Sequence, residues 1–146
     1  MYKAKIYIMA EPANTRKSKK RYGFLLSCIS RGKEEVRIDG GKIEGTYHAA
    51  TLQALNEALG RFKQSCEITI YCENRFVLNM IEHNLERWAA TGYRTSKGRP
   101  VKNEAEWREC GRLTRGQKII VVKGRHGREN EIRKEVENGT DVSEKH

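Results

Sequence analysis

With 146 residues the chain has the length of one domain with one core, and 29 Lys+Arg against 19 Asp+Glu leave it at +10, a charge that predicts nucleic-acid partners. No run of about 18 apolar residues offers a membrane span, and the N-terminus alternates too early for a signal peptide, so a soluble cytoplasmic protein without membrane contact is expected. Cys28, Cys66, Cys72 and Cys110 show neither zinc-ligand nor disulfide-framework spacing, which leaves reduced, mostly buried thiols.

Tyr2 to Ala10 alternates, with Ile6, Ile8 and Ala10 on one face and Tyr7 and Met9 on the other, as a short strand does. Glu11 to Arg21 breaks the pattern at Pro12 and Asn14 and carries Arg16, Lys17, Lys19, Lys20 and Arg21, which predicts a basic loop. Tyr22 to Ser30 and Glu34 to Ile38, divided by Arg31-Gly32-Lys33, form a hairpin pattern with glycine at the turn. A helix is expected from Thr46, its N-cap, with Leu52, Leu55 and Leu59 at helical spacing before Gly60.

Glu67 to Tyr71 is the next strand. Phe76, Val77, Met80, Ile81, Leu85 and Trp88 fit a second helix, Glu104 to Leu113 a third, and Lys118 to Val122 an apolar strand. Glu129 to Glu137 is expected as the last helix, and Gly139 to His146, which lacks periodicity, as a disordered tail. This order implies an α/β fold: a mixed five-stranded sheet with an antiparallel hairpin at one side and helices on both faces. Ligands of such sheets gather at the carboxyl ends of the strands, near Ala10, Glu73 and Lys123 here.

The run Ile70-Tyr71-Cys72-Glu73-Asn74-Arg75-Phe76-Val77 resembles the strand-end carboxylate motif of type 1 ribonuclease H. Trp88-Ala89-Ala90-Thr91-Gly92-Tyr93-Arg94-Thr95, then Arg99-Pro100-Val101-Lys102-Asn103 and Trp107, resemble the basic protrusion by which bacterial members grip an RNA/DNA hybrid. Val121-Val122-Lys123-Gly124 and Glu129-Asn130-Glu131 are similar to the family's final strand, histidine loop and last helix, and Tyr22-Gly23 to its second strand. The resemblance extends over residues 5 to 137 and implies a ribonuclease H-like domain over residues 1–138.

That family cleaves the RNA strand of a hybrid with two divalent metals, Mg²⁺ or Mn²⁺, held by four carboxylates. The resemblance sets Ala10, His48, Glu73 and Lys134 at those four places. Glu11, one residue along the strand, points to the opposite face, and a shift of one in the helix would bring Tyr47 in place of His48. Glu73 alone is acidic. One negative charge beside one lysine cannot hold two Mg²⁺, so no metal or other cofactor is expected, and Glu73 is the ligand if any metal binds. Lys134 is expected near Glu73, neutralising it, with a solvated Lys134 as the alternative.

At the family's loop histidine, thought to assist water activation or product release, Arg125 stands first and His126 follows; His126 is either a phosphate contact or a solvated loop residue. His48 suits a hydrogen-bonded residue at the mouth better than a Mg²⁺ ligand. Arg75 replaces a glutamine that contacts the duplex in the family. Arg87, Arg94, Lys97, Arg99 and Lys102 follow one another without an acidic residue between them, interleaved with Trp88 and Tyr93, and form a phosphate-tracking stripe. Trp88 and Trp107 fit the core.

The leading reading is therefore a ribonuclease H-like module that binds RNA/DNA hybrid, or double-stranded RNA, with impaired or absent catalysis. An active enzyme would need Glu11, Glu44, Glu73, Glu131 or Glu135 to rebuild a metal site. A third reading is a protein-interaction scaffold resembling the connection domain of a reverse transcriptase. Three or more acidic groups converging at the ends of the first and fourth strands would favour the enzyme.

Overall fold

The protein is described here by a computed structural model, which covers residues 2–137 with their side chains and the helical backbone on to residue 144; of the residues expected as a disordered tail, 139–144 carry the backbone of the last helix and 145–146 lie outside the described residues. In chain order the elements are β1 (Tyr2–Glu11), β2 (Ser18–Ser30), β3 (Lys33–Gly45), α1 (Tyr47–Leu59), β4 (Cys66–Cys72), α2 (Arg75–His83), α3 (Leu85–Thr91), α4 (Glu104–Thr114), β5 (Lys118–Lys123) and α5 (Glu129–Glu144). They build a five-stranded sheet in the order β3-β2-β1-β4-β5. β2 pairs antiparallel with both β1 and β3, whereas β4 pairs parallel with both β1 and β5, so the expected mixed sheet with its hairpin at one side is present. No helix among the described residues is long and apolar enough to cross a membrane.

Alternation along β1 explains why both faces are covered. Ile6 and Ile8 join the larger core with residues of α1 to α4, including Leu52, Leu55, Trp88 and Trp107. Tyr7 and Met9 join a smaller core with Leu25 and with Ile132 and Val136 of α5. The Tyr22-Gly23 pair finds its reason there: a Cβ on Gly23 would stand 2.6 Å from Ile132 Cγ2, so only glycine lets α5 lie this close to the sheet.

Besides the longer last helix, three boundaries differ from those expected. β2 begins at Ser18, which shortens the basic loop to residues 12–17. β3 continues to Gly45 because its backbone pairs with β2 all the way from Lys33 to Gly45, although its side chains are mostly exposed and show little apolar alternation. The expected second helix is divided at Asn84 (φ −125°), whose side chain donates to Met80 Sδ (3.0 Å) and accepts from Arg87 (2.7 Å), diverting local hydrogen bonding from a continuous helix.

Candidate nucleic-acid interface at the strand ends

The β1–β4 ladder closes at Tyr7↔Tyr71; β1 runs on through Ala10 to Glu11, and β4 ends at Cys72, so Glu73 follows directly on its last residue. Ala10 faces the α1 side and packs on the larger core. Glu11 faces α5, where Arg133 donates to both of its carboxylate oxygens at 2.8 and 2.9 Å and Arg21 approaches to 3.5 Å. The one carboxylate of β1 near this end is thus held by a two-pronged guanidinium on the opposite face.

On the α1 side, Thr46 caps the helix by accepting from Ala49 N–H (3.1 Å), which fixes Tyr47 and His48 in the first turn. Asn74 caps α2: its Oδ1 accepts from Val77 N–H (3.1 Å), so its Nδ2 is turned to donate to His48 Nδ1 (3.0 Å) and to Thr51 Oγ1 (3.0 Å). His48 Nδ1 therefore carries no proton, and the ring hydrogen is on Nε2. The imidazole stacks on Phe76, with centroids 4.4 Å apart, and burial lowers its pKa below 6.5. At neutral pH His48 is uncharged.

This state can be checked. NMR titration of the His48 ring should give a pKa below the ordinary 6.5. The unfolded chain takes up that proton first as the pH falls, so His48 lowers stability below about 6.5 and stability rises with pH between the folded and unfolded values. A His48 ring that titrates at or above 6.5 would contradict the hydrogen-bond assignment.

Tyr47 lies beside these groups; burial raises its pKa, with the Cys72 thiol and Glu73 adding to the effect. Burial also pushes the Cys72 thiol up to about 12, so it is not a thiolate. Glu73 is exposed, with no hydrogen bond or ion pair among the described residues. Lys134 is likewise exposed and does not pair with Glu73, and a solvated carboxylate needs no such partner. Arg75 is exposed, and its guanidinium lies 3.8 Å from where a Cβ on Gly124 would be.

The loop after β5 separates its two named residues. Arg125 is exposed, whereas the His126 side chain is 2% exposed. His126 Nδ1 accepts from Arg128 N–H (3.1 Å) and Nε2–H donates to the Ile8 carbonyl (2.8 Å), one residue beyond the end of the β1–β4 ladder. Glu129, which sequence reading passed over, accepts from the N–H groups of His126 and Gly127, both at 3.0 Å. Burial opposes its charge, but those backbone donors hold its carboxyl below the usual range. His126 and Glu129 fasten the loop to the sheet.

The stripe lies on a different support. Tyr93 and Val101 are buried and joined by Val101 N–H to Tyr93 C=O (3.0 Å), and between them Thr95 and Arg99 close a turn in which Gly98 takes φ +80°. Trp88 and Trp107 pack edge to face beneath it, 5.3 Å apart. Arg87, Arg94, Lys97, Arg99 and Lys102 are all exposed. Arg87 bonds only to Asn84 and Arg94 to the Gly98 carbonyl, and no carboxylate neutralises any of the five among the described residues.

Among the described residues no three His, Cys, Asp or Glu side chains gather to hold a metal ion. Glu73 stands alone on its side of the strand ends, Glu11 is turned to α5, and Glu131 and Glu135 are exposed on that helix. A pair of Mg²⁺ ions requires several anionic oxygens, and this donor set does not fit it.

Comparison with known proteins agrees with the fold. Ribonuclease H of Paracidovorax citrulli is 33% identical over 103 residues, which are 68% of this chain and 69% of that protein. LC9-RNase H1, a type 1 RNase H with the type 2 active-site motif, superposes with a TM-score of 0.70 at 19% identity over 89% of this chain and 67% of its own. A foamy viral protease-reverse transcriptase in complex with RNA/DNA hybrid gives a TM-score of 0.68 at 13% identity, over 93% of this chain and 19% of its own. Residues 8–136 match the RNase H family model, so the chain belongs to the RNase H family.

Proposed function

We propose that this protein is a binding module of its family, recognising RNA/DNA hybrid first and double-stranded RNA second, with catalysis impaired or absent. The observation that carries the reading is that Glu73 is the one acidic residue at the four positions where the family pattern sets carboxylates, with Ala10, His48 and Lys134 at the other three, and that no three metal-ligating side chains gather among the described residues. What remains suited to a duplex is the stripe from Arg87 to Lys102, with Arg75 and Arg125 beside the strand ends. A-form helices are met by groove shape and backbone contacts, which such a surface can supply without metal. The hybrid-bound foamy viral protein shares this fold, which supports the choice of substrate. The four cysteines are free, as suits a reducing cytoplasm.

The test is a titration with labelled hybrid in chelator and in millimolar Mg²⁺ or Mn²⁺, followed by electrophoresis of the RNA strand. Binding should persist in chelator, weaken modestly with the divalent salt, and leave the RNA intact. Metal-dependent cleavage that Glu73→Ala abolishes would establish the enzyme in its place.

A further inference from the structure

We propose that the loop between β1 and β2 is a second phosphate-binding arm, which grips the nucleic-acid backbone at the strand ends apart from the stripe; the proposal rests on the binding reading above. Arg16, Lys17 and Lys19 are exposed and make no hydrogen bond or ion pair among the described residues. No acidic residue lies between Pro12 and Arg21. Lys19, at the start of β2, stands opposite Glu44 in the β2–β3 register, but Arg16 and Lys17 in the loop itself have no carboxylate paired with them among the described residues, and their mutual repulsion costs stability unless a polyanion relieves it.

The neighbouring Lys20 shows that the loop is held rather than loose. Its side chain is only 1% exposed, and its ammonium donates to the Asn14 carbonyl (3.0 Å) and to Asn14 Oδ1 (2.8 Å). No carboxylate joins it among the described residues. Burying an ammonium against neutral oxygens is expensive compared with leaving it in water or pairing it. What that arrangement gains is a fixed shape for the loop from Pro12 to Lys17, so its cations lose less freedom on meeting a ligand.

Position selects the ligand. The loop leaves the carboxyl end of β1, the end shared by Glu73, Arg75 and His48, where ligands of such sheets bind. It stands on the β2–β3 side of that end, whereas the stripe follows β4 and α2 in the chain and lies on α3 and the turn between α3 and α4. Exposed Lys and Arg side chains without aromatic partners match phosphodiester oxygens better than bases. The arm therefore adds affinity without sequence preference.

The experiment compares hybrid binding by the full chain over a series of salt concentrations. Arg16→Ala, Lys17→Ala and Lys19→Ala together should lower the slope of log affinity against log salt by up to about 0.9 for each phosphate left unneutralised. Lys20→Met removes a buried charge that reaches no phosphate, so it should leave the slope unchanged while weakening binding about three- to tenfold through loss of loop order. Thermal melting of each variant shows whether it is folded; the triple variant changes only exposed side chains and serves as the measurement if Lys20→Met does not fold. Tight binding by the wild-type protein with an unchanged slope in the triple variant overturns the second arm and leaves the binding reading intact. Absence of hybrid binding in the wild-type protein overturns both.

Discussion

Replacing Arg94, Lys97, Arg99 and Lys102 together by alanine is expected to weaken hybrid binding on the order of 10²- to 10³-fold at physiological salt. Each phosphate contact releases about 0.9 counterions, worth about fivefold at 0.15 M salt, and four such contacts multiply. The salt slope should fall in step. The fold should persist, since all four side chains are exposed and the turn is held by buried Tyr93 and Val101 and by the backbone bonds between Thr95 and Arg99. Equal affinity and equal slope in a folded variant would remove the stripe as a binding surface.

The second large effect concerns chemistry. If missing carboxylates alone account for impaired catalysis, Ala10→Asp, His48→Glu, Glu73→Asp and Lys134→Asp in one chain should create metal-dependent cleavage of the RNA strand, and each change alone should not. Metal ligands act as a unit, so one restored carboxylate beside a retained lysine lacks the charge to hold two ions. The structure suggests where the variant is tolerant. A glutamate at 48 still offers an acceptor to Asn74 Nδ2, though it gives up the stack on Phe76, and Lys134 is exposed with no partner to lose among the described residues. Ala10 is the costlier site because it packs on the larger core. Tyr47→Glu in parallel tests the neighbouring helix position. Cleavage by the unaltered protein at a similar rate, removed by Glu73→Ala, would show that the existing residues suffice.

The sequence carried the fold wherever apolar spacing or a cap fixed it: β1, α1 with Thr46, β4 and β5 stand within a residue or two of where their patterns place them. It carried less where backbone pairing or a single polar side chain decided. β3 is held by its ladder to β2 through residues with little apolar alternation, and Asn84 splits a helix whose apolar positions run across it. Among the site residues, Glu11 does face away from Ala10, which strand alternation alone determines. His126 could not be placed from local pattern because its partner, the Ile8 carbonyl, belongs to the far end of the chain. Asn74 and Glu129 were missed, although an asparagine just before an apolar helix is a recognised cap signal and would have drawn attention to Asn74.

Two hydrogen-bonded pairs that fasten the sheet end, His126 to Ile8 and Arg133 to Glu11, join residues 118 and 122 positions apart. The first strand of the domain is thus finished by the loop and helix that follow its last strand. Until residues 126–136 leave the ribosome, Tyr7, Met9 and Leu25 lack their cover of Ile132 and Val136, and an apolar sheet face stays open while the rest of the domain is made. Such distant closures are slow to form because the intervening chain must first be ordered. For a cell making this protein, the vulnerable interval is the nascent chain, whose open apolar face is prone to aggregate until the last helix closes it.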